Sequence, residues 1–203
     1  MNEHQVYPNA PVVVATVEIR HTETATITQP ERKTVKQALS EWTPIQRSIK
    51  QVSIAMAPGV ATPDQSVEEF PKYFSRDSML AISFRKEAVV IEATRYDGWL
   101  ALNGVIKGAI EARSKIALPD AAERIGIRYL NEIRPTVEPP VDWADWVHAS
   151  ILGPVELSDA VGLHAKQWQG LAVYGPVDGR SLVLRYSPGE GQAVETGQAR
   201  VRH

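Results

Sequence analysis

Residues 123–134, E-R-I-G-I-R-Y-L-N-E-I-R, are apolar at every second position and charged at nearly every other. On an extended strand successive side chains point to opposite sides. Ile125, Ile127, Tyr129 and Ile133 then share one face, and Arg124, Arg128, Glu132 and Arg134 share the other. The spacing predicts a strand whose apolar side packs against a helix over residues 99–117, with Arg124 and Arg128 in water or on a partner. Asn131 breaks the apolar side, with Gly126 and Leu130 interrupting the charged one. A buried amide needs partners, so Asn131 is expected to bond to neighbouring backbone and pin the strand where it leaves the core near Pro135. The alternative aims it into a ligand cavity beside Tyr129.

The same reading extends along the chain. Residues 12–20 alternate Val13, Ala15, Val17 and Ile19 with Thr16, Glu18 and Arg20, a β-branched strand pattern. Thr34 and Gln37 form a capping-box pattern, and Val35, Leu39 and Trp42 follow at helical spacing. Pro44 kinks or restarts that helix, and Ile45 and Ile49 continue its face. Residues 57–72 hold three prolines and read as a loop or linker. Residues 79–85 and 88–96 form a hairpin. From residue 99 the apolar spacing changes to three and four, giving an amphipathic helix with Leu102, Ile106, Ala109 and Ile110 on one side. After a proline-rich break, Asp142 caps a helix carrying Trp143, Trp146, Val147 and Ile151. Residues 171–174 and 181–186 make a second hairpin across Asp178-Gly179.

The order β-α-β-β-α-β, then α-β-β, predicts an α+β protein with a largely antiparallel sheet and helices packed on one face. Residues 1–134 form the first domain. Residues 135–187 share its sheet or form a second half, and the polar, glycine-rich residues 188–203 are a flexible tail.

Composition removes several chemistries. The 203 residues contain no cysteine, which excludes disulfides, thiolate nucleophiles and cysteine-ligated metals. The five histidines stand singly, none with a metal-binding partner one helical turn away, and G-x-S-x-G and the P-loop pattern are absent. No catalytic residue, cofactor-binding residue or metal ligand is expected. A net charge of −2 gives no general attraction to nucleic acid or anionic lipid, and no stretch is apolar for long enough to span a membrane. The expected location is the cytoplasm.

Two groups of residues have both a structural and a functional reading. Trp143 and Trp146 either anchor a helix or form a protein-recognition patch. Arg20, Arg95, Arg124 and Arg128 would make a basic stripe for nucleic acid if their strands are neighbours. Glu18, Glu92, Glu123 and Glu132 lie on the same strands, and ordinary cross-strand ion pairs account for the arginines without any ligand.

The opening P-N-A-P-V-V-V-A-T-V-E-I-R, the helix start Y-D-G-W at residues 96–99 and I-G-I-R-Y-L-N-E-I at 125–133 resemble a sporadically distributed prokaryotic family of uncharacterised proteins. That family opens with a proline, a valine and a glutamate-bearing strand, then carries a Y-P-G-W helix start and a G-[LI]-R-Y-[IL]-N strand. The resemblance covers about residues 8–134, with Asp97 in place of the proline and Ala15 where a glutamate is expected. It implies the α+β fold and no activity, and it places the chain in defence, toxin–antitoxin or phage-conflict biology. Members continue beyond the point where this chain stops, so a shortened or cut chain with an exposed final sheet edge is expected. The function expected overall is a non-enzymatic interaction protein with a protein partner, its own copy included. The alternative is a nucleic-acid-binding module. An enzyme with a pocket of Arg128, Tyr129, Asn131 and Glu132 ranks last, since adjacent strand residues cannot all converge.

Overall fold

In the computed structural model, which describes residues 10–55, 64–135, 141–152 and 168–187, the chain divides into two compact units, residues 1–132 and 133–203. The first runs β1 (Val12–His21), α1 (Gln29–Ala38), β2 (Ile45–Ala55), β3 (Asp64–Phe74), β4 (Leu80–Phe84), β5 (Ala88–Ala93), α2 (Trp99–Ser114) and β6 (Ala122–Asn131). Its six strands form one sheet in the order β2-β3-β4-β5-β1-β6, with every neighbouring pair antiparallel. Because β5 and β6 both oppose β1, they run parallel to each other, and α2 is the crossover such a pair requires. The same alternation makes β1 and β2 parallel, so α1 carries the chain across the sheet.

Register sorts the side chains into two faces. Ala15, Val17 and Ile19 stand opposite Ala93, Ile91 and Val89 on β5 and opposite Tyr129, Ile127 and Ile125 on β6. This face is covered by Val35 of α1, by Leu39 just after it, and by Leu102, Val105, Ala109 and Ala112 of α2, which with Tyr73, Ile82 and Phe84 form the hydrophobic core. Tyr73 meets Phe84 edge to face, with ring centroids 5.7 Å apart. Its hydroxyl donates to the Arg32 carbonyl at 3.1 Å, so this buried phenol is satisfied. The α+β class, antiparallel sheet and one-sided helices follow the sequence reading, with β2 and β3 added to the expected order.

Three local expectations give way. The first helix begins at Gln29, six residues before Val35, because the N–H and hydroxyl of Thr28 both donate to Glu31. That pairing caps the chain one turn and a half before Thr34. Ile45 and Ile49 continue as a strand, opposite Phe74 and Phe70 of β3. A spacing of four is one helical turn but also an even strand interval, and Pro44 with two β-branched residues settles it for the strand. The proline-rich stretch read as a loop contains β3. Pro71 is tolerated there because the β3–β4 pairing spans only residues 72–74, so its missing N–H falls just past the ladder's end.

The second unit contains 3₁₀ turns at Trp143–Asp145 and Ala149–Ile151, and β7 (Gly170–Val177) and β8 (Arg180–Tyr186), which pair only with each other. Asp142 does cap, its carboxylate accepting from Ala144 N at 2.9 Å. The expected helix nevertheless stops after one tight turn, since its aromatic and β-branched residues do little to repay helix nucleation. Asp178 and Gly179 both have positive φ, 51° and 72°, as the expected two-residue hairpin turn requires. Residues 188–203, read as a tail, lie outside the described residues.

Candidate functional site

The arginine strand β6 closes one edge of the sheet, and its apolar side is not buried. Ile125 is 64%, Ile127 44% and Tyr129 40% exposed, and Leu130, on the arginine side, is 49% exposed. The face assignment holds, because Ile125, Ile127 and Tyr129 sit on the side of Ala15, Val17 and Ile19 while Arg124 and Arg128 sit opposite. The expected cover is what fails. Helix α2 turns Leu102, Val105, Ala109 and Ala112 inward, and Gly108 lies against the Trp42 ring that follows α1. Ile110, about 200° further round the helix, is on the flank turned away from α1 and is 45% exposed. The outermost strand therefore projects past the helical layer. Tyr129 keeps one neighbour, Tyr96, at 5.5 Å in an edge-to-face contact. Partial burial and then the Tyr96 hydroxyl push its phenol up to about 12, so it is a neutral hydrogen-bonding group at any ordinary pH.

Asn131 is also exposed, opposite Val12 near the end of the β1 ladder. The reading of a buried amide pinning a crossing is corrected, for the same reason: among the described residues no layer covers this edge. A pocket of Arg128, Tyr129, Asn131 and Glu132 does not form on one side, because alternate residues of β6 face opposite ways.

On the open face, Arg20 and Arg124 stand directly opposite each other. Glu18 binds both, accepting from Arg20 Nε and from Arg124 Nη2, each at 3.0 Å. Desolvation works against the charged carboxylate, yet the two guanidinium hydrogen bonds hold Glu18 below the usual carboxylate range. Arg128 lies on the same face opposite Thr16. Arg95 does not join them. It follows β5, past the opposite end of the β1–β5 ladder from Arg20, and binds Asp77 at 2.8 Å and Asp97 at 3.1 Å. Lys72 and Glu92 form a further ion pair. The stripe is thus three arginines, two of them sharing the one carboxylate of Glu18, with Arg95 apart. Trp146, in the second unit, is 38% exposed, and its backbone N–H donates to the Trp143 carbonyl across the 3₁₀ turn at 3.0 Å.

Two features carried no motif in the sequence. A cleft of about 470 Å³ is lined by Trp42, Leu80, Arg95, Tyr96, Asp97 and Leu102, among others, drawn from three segments far apart in sequence. Arg113 is buried at the end of α2, donating to the Thr24 hydroxyl and to the Arg85 carbonyl and so tying the loop after β1 to the helix. Its place beside Ala109 and Ala112 on the apolar row of α2 was the available signal. Among the described residues no three His, Asp or Glu side chains gather as metal ligands. His21 is buried against the Thr22 carbonyl, and His148 bonds Ser150. No described helix is long and apolar enough to cross a membrane. No protein-family model, curated protein or solved structure matches the chain.

Proposed function

We propose that this chain is a non-enzymatic protein-interaction protein whose working surface is the β6 edge with the adjoining flank of α2. The observation that carries the reading is the exposure of Ile125, Ile127, Tyr129 and Leu130 on a strand with one side unpaired among the described residues. Soluble proteins usually blunt such edges. The opposite edge, β2, interleaves its apolar residues with Gln46, Arg47, Ser48, Lys50 and Gln51, and leaves Ile45 and Val52 exposed singly rather than in a row. A strand offering backbone donors and acceptors beside apolar side chains is suited to taking a further strand, with the ladder supplying affinity and the side chains selectivity.

Affinity capture from native host extract tests this. A partner retained by the natural chain and lost by Ile127→Lys supports the edge, and equal capture by both chains removes it. Trp146→Ala in the same assay assigns or excludes the tryptophan pair Trp143 and Trp146. The nucleic-acid alternative has weaker support, because Glu18, Asp77 and Asp97 already hold three of its four arginines. Retention on mixed DNA and RNA that falls steeply with salt would restore it. The defence or phage-conflict setting implied by the resemblance remains a proposal at the level of biology, to be met by the partner's identity.

A further inference from the structure

We propose that the strand taken up by β6 is the β6 of a second copy, joining two sheets into one continuous antiparallel sheet across a two-fold axis. This rests on the reading of β6 as an interaction edge and names its partner. Opposite residues of antiparallel strands lie on the same side, so a two-fold pairing must centre on a residue, and the helical layers of both copies then lie on one side. The two registers that pair nearly the whole strand centre on Gly126 and on Ile127. Centring on Gly126 sets Arg124 against Arg128 of the second copy twice over, a like-charge juxtaposition that opposes pairing. Centring on Ile127 moves these arginines from directly opposite to diagonal positions, with Glu18 on β1 to offset their charge. It places Ile127 against itself and Ile125 against Tyr129, continuing the exposed apolar row across the junction.

The charged side is complementary in the same register. Arg128 of the second copy falls opposite Gly126, and behind Gly126, in register on β1, stands Glu18. A side chain at position 126 would block the way, but open space surrounds the place a Cβ would occupy. Glu18 is then two strand spacings from Arg128 of the second copy, about 10 Å between backbones, which the two extended side chains bridge. Each copy thus completes an ion-pair row with three arginines around one carboxylate, from Arg20 through Arg124 to the second copy's Arg128.

Sedimentation velocity on the full chain is expected to show a mass rising toward twice that of one chain with concentration. Ile127→Lys, at a half-exposed position, is expected to keep its melting transition and stay at the mass of one chain. Because the protein has no cysteine, single substitutions read the register. Ile127→Cys should cross-link to its own copy on mild oxidation, whereas in Ile125→Cys the two thiols are offset by four residues, about 13 Å along the strand, and should not. A natural chain that stays single at every concentration overturns the proposal, as does Ile127→Lys that still dimerises, and equal cross-linking of both cysteine chains overturns the register. If the natural chain is single yet captures a host protein that Ile127→Lys loses, self-pairing falls while the interaction edge stands. If neither occurs, both fall.

Discussion

Glu18 holds apart two arginines that the strand register sets side by side. Removing its charge with Glu18→Gln leaves Arg20 and Arg124 opposed across β1 and β6, and is expected to cost about 0.2–1 kcal/mol at neutral pH, read by thermal melting. The folded carboxylate titrates below its ordinary value of 4.5, so its contribution is complete above that value and lost as pH falls through the folded one. The melting curves of the natural and Glu18→Gln chains should therefore converge in acid. Two glycines of α2 make a second pair of tests. Gly104 has open space where a Cβ would go, whereas at Gly108 a Cβ would sit 2.4 Å from the Trp42 ring. Gly104→Ala should gain about 0.5–1 kcal/mol from helix propensity. Gly108→Ala should forfeit that gain and shift tryptophan fluorescence as the ring is displaced.

At the scale of elements, burial and edge position separate residues that look alike in sequence. Phe84→Ala, fully buried in the core against Tyr73, should cost about 3–5 kcal/mol in chemical denaturation. Ile127→Ala, on the exposed edge, should cost the single chain less than about 1 kcal/mol. Periodicity made most elements legible: β1, β4, β5, β6, α2 and the β7–β8 hairpin all follow a clear period of two or of three and four. It was silent where two periods agree, as at Ile45 and Ile49, and where Pro71 was compatible with a strand because it lies past the end of a ladder. It named the faces of β6 correctly but not their cover, because a period says which residues share a side and nothing about which layer lies above. Cross-strand ion pairing of the arginines was readable from the glutamates on the same strands. The cleft beside Trp42, Arg95 and Tyr96 was not, since it is assembled by tertiary proximity alone.

For the whole molecule, the two edges of one sheet differ in arrangement: β2 exposes Ile45 and Val52 singly among polar residues, and β6 presents Ile125, Ile127 and Tyr129 in a row on one side with Arg124 and Arg128 on the other. Among the described residues such a sheet is covered on its helical face and open at one end, which is the ground for proposing partner binding at β6. Amide hydrogen exchange resolved residue by residue along β6 tests that claim most directly. An edge strand gives only every second amide to its neighbour, so in dilute protein alternate amides across residues 123–131 should be protected through β1 while those between exchange freely. Raising the protein concentration should slow the second set. Protection of both sets in dilute protein, or a second set that stays fast at high concentration and with any captured partner, would contradict an open edge that pairs.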